Sequence, residues 1–209
     1  MSQTDRQKRL RLLVRQLNRR RKQQASQIDI LCHDLIAAQR TFIDRLQGIG
    51  FAAHFYKSLL GSTDLNDLLE QAGRVLREEL PGAGVSFFLR QSDGCELHTT
   101  GADNAVFAED PRPGDCLPPD VVDNICKANK PCTLDDMLDL GLDGRRKELA
   151  PFAPATLPLS DLGRSLGFMF LYRRAPQVLT AGELQRVSLI LCGLSQAIRA
   201  ARTPLPASP

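Results

Sequence analysis

A chain of 209 residues with 43% hydrophobic residues and a formal net charge of +3 has room for one globular domain plus an extension, or for two small domains. It holds no run of about 18 apolar residues, which argues against a helical membrane span. Its basic start is not followed by an apolar stretch and a small-residue cleavage site, so no secretory signal is expected and the protein reads as cytoplasmic.

The charge is uneven. Ser2–Lys22 holds nine Lys or Arg against one Asp, a local +8, so residues 23–209 carry −5 of the chain's +3. A basic end of this kind invites nucleic acid, an acidic protein or a lipid surface. The same stretch is patterned. Leu10, Val14, Leu17, Arg21, Gln24, Ile28, Leu31, Leu35, Ala38, Phe42, Arg45 and Ile49 follow alternating steps of four and three, and no Gly or Pro interrupts Ser2–Gln47. That is a heptad seam, and it predicts a long helix over residues 1–50. One helix alone cannot bury such a seam. A parallel two-stranded coiled coil is therefore expected, and with it a homodimer whose seam is Leu10, Val14, Leu17, Ile28, Leu31, Leu35 and Phe42. The competing arrangement is an amphipathic helix folded back on its own domain. A basic-zipper DNA reader fits less well, because Leu10, Val14 and Leu17 place the seam inside the basic stretch instead of after it. Sequence-independent contact with phosphates through Arg6–Lys22 stays open.

Gly48 and Gly50 can loosen or kink the helix where it meets the rest of the chain. Phe51, Phe55, Leu59 and Leu60 then lie on one side of a helical segment that Gly61 ends. Ser62–Thr63 start a second helix, striped by Leu65, Leu68, Leu69, Ala72, Val75, Leu76 and Leu80. Val85–Arg90 and Cys95–Thr100 read as a β-hairpin around Ser92–Gly94, and Gly101–Pro119 as a loop. Pro119–Asn129 is helical by the spacing of Val121, Val122, Ile125 and Ala128. Lys130–Asp136 reads as a short strand running into a loop, and Asp139–Ala150 as a polar helix.

Ala155–Leu159 and Leu166–Tyr172 form a final hairpin around Ser160–Arg164. Phe168, Phe170 and Tyr172 alternate with Met169 and Leu171, so both faces of the second strand are apolar and it should lie centrally in a sheet covered on two sides. Thr180 and Glu183 have capping-box spacing. They open one long helix striped by Leu184, Val187, Leu191, Leu194 and Ile198. Thr203–Pro209, with three prolines, reads as a disordered tail.

No sequence motif names a reaction. Cys32, Cys95, Cys116, Cys126, Cys132 and Cys192 form no C-x-x-C pair and match no zinc or iron–sulfur spacing. They are expected to be thiols, with Cys192 as a small core residue. A metal or redox site among Cys95, Cys116, Cys126, Cys132 and His98 is conceivable, but the spacing argues for plain thiols. His33, His54 and His98 fall on different predicted elements. No G-x-S-x-G, phosphate loop, dinucleotide glycine motif or H-E-x-x-H occurs. The expectation is a protein that is not an enzyme, with no length left over for a kinase, cyclase or phosphodiesterase domain.

Three local patterns resemble GAF domains. The closing segment has Leu157-Pro158-Leu159, then Gly163-Arg164-Ser165-Leu166-Gly167, then Thr180 and Glu183. The opening has Leu59-Leu60-Gly61-Ser62-Thr63-Asp64-Leu65-Asn66-Asp67-Leu68-Leu69. Between them, Lys130-Pro131 leads through an apolar stretch to Asp135 or Asp136. The resemblance runs from about Phe55 to Ala201. It implies an α+β fold, a GAF-like central antiparallel sheet flanked by helices, with the long helix at 1–50, the domain at 51–202 and the tail at 203–209.

It also implies a small-molecule cavity lined by Phe88, Leu97, Val122, Ile125, Cys132, Asp135, Phe152 and Leu157, with Arg145 and Arg146 facing an anion at its mouth. Read without the resemblance, these apolar residues are core and the arginines are solvated. The Asn-Lys-x-Asp motif of cyclic-nucleotide-binding members is absent. The Cys-His pair of bilin-binding members occurs only as Cys32-His33 on the long helix, so nothing points to haem or bilin and the cofactor is left unknown. Two functional readings follow. One is a dimeric signalling sensor that passes a ligand-induced change at Gly48–Gly50 to a partner protein. The other is a ligand-free scaffold or adaptor whose basic helix docks an acidic protein or nucleic acid, with a transcription regulator as a third.

Overall fold

The computed structural model describes residues 3–62, 64–92, 94–101, 113–142, 149 and 151–202. The chain divides into two compact units, Met1–Ile49 and Gly50–Pro209. The first helix, α1 (Gln3–Leu59), is 57 residues long and unbroken through Gly48 and Gly50. The helix-breaking tendency of the two glycines is not enough to interrupt its hydrogen bonding.

Within the second unit follow α2 (Leu65–Glu79), β1 (Ala83–Gln91), β2 (Gly94–Thr99), a short 3-10 turn (Pro113–Cys116), α3 (Pro119–Ala128), β3 (Cys132–Thr133) and α4 (Leu134–Asp139). Then come β4 (Phe152–Asp161), β5 (Arg164–Arg174), α5 (Ala181–Ser188) and α6 (Leu191–Arg202). The five strands form one antiparallel sheet in the order β2-β1-β5-β4-β3. β5 lies in the middle, as its two apolar faces require.

The pleat sorts side chains into two cores. Val85, Phe87, Leu89, Leu157, Leu159, Met169 and Leu171 face a layer containing Phe51, Phe55, α2, α5 and α6. Phe88, Phe168, Phe170 and Tyr172 face α3, α4 and Phe152 on the other side. At about 25 cal/mol per Å² of apolar area removed from water, two such layers dominate the folding free energy.

Local chemistry fixes the helix ends. Asp64, not Ser62 or Thr63, caps α2, its Oδ1 accepting the Asp67 N–H at 2.8 Å. Pro119 begins α3, where a missing N–H costs nothing, and Asn129 ends it in the left-handed region at φ 46. The stretch after β3 is helical because Thr133 and Asp136 close a capping box. The Thr180–Glu183 box forms as its spacing predicts.

The expected single long closing helix is instead two helices. Leu189 N–H turns to the Arg186 and Val187 carbonyls, which tightens the chain locally. The buried positions become Val187, Ile190, Leu194 and Ile198. Cys192 is consequently exposed, not a core residue. The Tyr56 hydroxyl donates at 3.4 Å to the Leu189 and Ile190 carbonyls at the break, where the Ile190 carbonyl also accepts the Leu194 N–H at 2.9 Å. Gly193 admits that ring: a Cβ there would sit 2.3 Å from it.

Of the other expectations, the loop at Gly101–Pro119 and the helix at Asp139–Ala150 lie mostly outside the described residues, and the tail lies wholly outside them.

Candidate functional site

The structure brings five of the expected cavity residues together. Phe88, Val122, Ile125, Cys132 and Phe152 are buried in one cluster between the sheet and the α3–α4 layer, and Leu97 packs half-buried against it. The cluster is closed by aromatic contacts. Phe88 stacks on Phe168 at 4.6 Å and meets Phe170 edge-on at 6.2 Å, while Phe152 meets Tyr172 edge-on at 5.9 Å.

Leu157 is on the opposite face. Its neighbour Thr156 pairs with Cys132, and the two-residue period of β4 turns Leu157 into the other core. Asp135 is exposed on α4 and is not part of the buried cluster. Its neighbour Asp136 accepts from the Thr133 N–H at 2.8 Å and the Thr133 hydroxyl at 2.7 Å. Those bonds hold the Asp136 carboxyl below its ordinary range. Arg145 and Arg146 lie outside the described residues.

A different concavity opens at the rim of the same face. It is lined by Arg90 from β1, Cys126, Lys127 and Asn129 from the end of α3, and Gly163, Arg164 and Ser165 at the β4–β5 turn, and it measures about 520 Å³. A β-bulge builds it. The β4–β5 register shifts at Leu159/Ser160, leaving Leu166 unpaired between Ser165 and Gly167. Leu166 then packs on the α2 side while Ser165 reaches the rim. Gly167 allows this, with φ +136 and its missing Cβ site 1.9 Å from the Phe88 carbonyl oxygen.

Within the concavity the Ser165 Oγ and Asn129 Oδ1 are buried without a hydrogen-bond partner among the described residues. The Cys126 Sγ lies 3.6 Å from the Cys95 Sγ. Burial, and after it the neighbouring Cys95, push the Cys126 thiol up to about 12, so it stays protonated at neutral pH. These rim residues went unrecognised in the sequence. The only local hints were Arg90 at the end of an apolar strand and Gly163-Arg164 in a turn.

The histidines remain apart. His54 is 3.9 Å from Glu78 with both side chains exposed, and His98 is 3.3 Å from Glu96. Among the described residues no group of three or more His, Cys, Asp or Glu is placed to hold a metal ion.

In the first unit, the seam residues Val14, Leu17, Ile28, Leu31, Leu35 and Phe42 are exposed, from 50% at Val14 to 67% at Leu31. Ile36, Ile43 and Leu46 add to the exposed apolar surface. Leu10 lies on α1, but its side chain is outside the described ones.

No family model matches the chain, and no curated protein does. Solved structures do. The GAF domain from a phosphoenolpyruvate-protein phosphotransferase (ptsP) of Coxiella burnetii matches with a TM-score of 0.57 at 16% identity, covering 75% of this chain and 95% of that one. The fold is GAF-like. The GAF domain of the Acinetobacter phosphoenolpyruvate-protein phosphotransferase gives 0.55 at 10% identity, over 74% of this chain and 94% of that one. Residues 122 to 287 of a methyl-accepting chemotaxis protein give 0.51 at 16% identity, over 72% and 96%. At these identities the likeness is one of fold. The GAF-like sheet and its two covering layers are what these chains share.

Proposed function

We propose that this chain is a non-catalytic regulatory module that self-associates through α1 and acts on a partner protein through its GAF-like unit. The observation that carries the proposal is the row of exposed apolar side chains on α1 at heptad spacing, followed in the chain by a unit whose own apolar side chains are buried in two cores. Water-exposed Leu, Ile and Phe at these intervals are stabilised by a second seam of the same kind. The domain of a chemotaxis protein among the structural neighbours supports a regulatory role. Six free cysteines suit the reducing cytoplasm. No helix among the described residues is long and apolar enough to cross a membrane.

In this reading a bound ligand shifts the population of two helix arrangements, and the partner reads the shift. A ligand-free scaffold is the second reading, and the aromatic filling around Phe88 and Phe152 favours it. Native mass spectrometry of the full chain purified from cells separates the two. A dimer with added small-molecule mass supports sensing, a bare dimer supports the scaffold, and a monomer at micromolar concentration overturns self-association.

A further inference from the structure

We propose that the rim cleft between the end of α3, the end of β1 and the β4–β5 turn binds a phosphate-bearing small molecule. The site is separate from the packed aromatic interior, and the proposal does not depend on self-association through α1.

Charge is the first argument. Arg90, Lys127 and Arg164 converge on the cleft from three elements, and none has an ion-pair partner among the described residues. Four other cations of the same unit are ion-paired, Arg173 with Glu183, Arg186 with Glu79, Lys130 with Asp136, and Arg199 with Asp161, whereas Lys57, Arg74, Arg77 and Arg202, like the three at the cleft, form no ion pair among the described residues. Three like charges around one opening repel one another, and an anion between them relieves that repulsion. The carboxyl end of α3 opposes an anion with about half an elementary charge, which three full charges outweigh. Asp123, also on α3, lies near enough to influence Cys126 but does not line the cleft. The Cys126 thiol in the wall is protonated and adds no negative charge.

Hydrogen bonding is the second argument, and it narrows the ligand. The Ser165 Oγ can donate to a phosphate oxygen, whereas the Asn129 Oδ1 requires a donor. Bare phosphate meets only the first need well; an ester carrying a hydroxyl or amino group meets both. Size agrees, since about 520 Å³ is more than one phosphate fills and lies within the range of small-metabolite sites. A concave site with one unmet donor and one unmet acceptor suits a small molecule better than the regular backbone of a nucleic acid.

The test is isothermal titration calorimetry on the full chain at low salt, using inorganic phosphate, a panel of sugar phosphates and nucleoside monophosphates, and a short DNA duplex. At least one ester should bind more tightly than inorganic phosphate. Lys127→Gln combined with Arg164→Gln should weaken that ester roughly tenfold or more, because two charge-assisted contacts are lost. Ser165→Ala, which leaves the surface charge intact, should weaken it severalfold. Arg19→Gln, Arg20→Gln and Arg21→Gln together, on α1, should leave it unchanged. Circular dichroism checks that each variant is folded. The proposal is overturned if no ester exceeds inorganic phosphate, or if the cleft variants bind as the parent does. It is equally overturned if the α1 triple variant abolishes binding, or if duplex DNA is the ligand that the cleft variants lose.

Discussion

Replacing Glu183 by Gln tests the account of how β5 is tied to α5. Arg173 is only 7% exposed, in the middle strand, and its Nη2 donates to the Glu183 Oε1 at 3.0 Å. The Glu183 Oε2 accepts from the Thr180 N–H at 2.7 Å and the Thr180 hydroxyl at 2.8 Å. Burial alone would raise the Glu183 carboxyl. The hydrogen bonds from Thr180 and Arg173, with the Arg173 charge, outweigh it and bring the group from 4.5 down to about 2. A folded-state value below the unfolded one means the stabilisation is complete above about pH 4.5 and is lost as the pH falls through that value towards 2. The gap of roughly two and a half pH units is worth about 3 kcal/mol at neutral pH. Glu183→Gln keeps the shape, removes the charge and leaves the Arg173 guanidinium buried without its counter-ion. Urea unfolding followed by circular dichroism should show a loss of about 3 kcal/mol at pH 7, shrinking to about 1 kcal/mol at pH 3, where the parent has also lost most of the benefit. A loss under about 0.5 kcal/mol at pH 7, or one that is the same at both pH values, would refute the reasoning.

Leu17→Asp or Leu31→Asp places a charge in the α1 seam and should convert a dimer to a monomer in sedimentation equilibrium; if both variants keep the parent mass, the assigned seam is wrong. Gly167→Ala should lower the unfolding free energy by ~3 kcal/mol or more, because the new methyl collides with the Phe88 carbonyl at a left-handed φ. Gly50→Ala, with open space around it, should not lower stability, and equal losses at both glycines would contradict the bulge geometry. A chain beginning at Phe51 should keep a cooperative thermal transition, since both cores lie in the second unit; a non-cooperative melt would show that the rest of α1 is required. Cys32 and Cys192, both exposed, should react with a thiol reagent before Cys126, whose thiol is buried and protonated; mass mapping that finds Cys126 labelled first would contradict its placement.

Features governed by neighbours in the chain were legible in the sequence. The alternation of Phe168, Phe170 and Tyr172 with Met169 and Leu171 predicts a central strand covered on both sides, because the pleat has a period of two. The Thr180–Glu183 box needs only four residues, and the uninterrupted run from Ser2 to Gln47 predicts the long α1. Tertiary packing decided the rest. Whether Leu157 faced α3 or α2 depended on the register that sets Thr156 against Cys132. The closing helix broke at Leu189–Ile190, where burial of Ile190 and the Tyr56 hydroxyl override a stripe that looked continuous. The interior that the resemblance implies as a cavity, and that the apolar residues alone imply as core, holds Phe88, Phe168, Phe170, Phe152 and Tyr172 in contact across three strands. The rim cleft was invisible for the same reason. Arg90, Lys127 and Arg164 are far apart in sequence, and they converge only because Gly167 lets β5 bulge against the Phe88 carbonyl while α3 ends beside the turn. Periodicity and capping are written in residues a few positions apart, whereas a site is made by distances across the sheet, which no local pattern encodes.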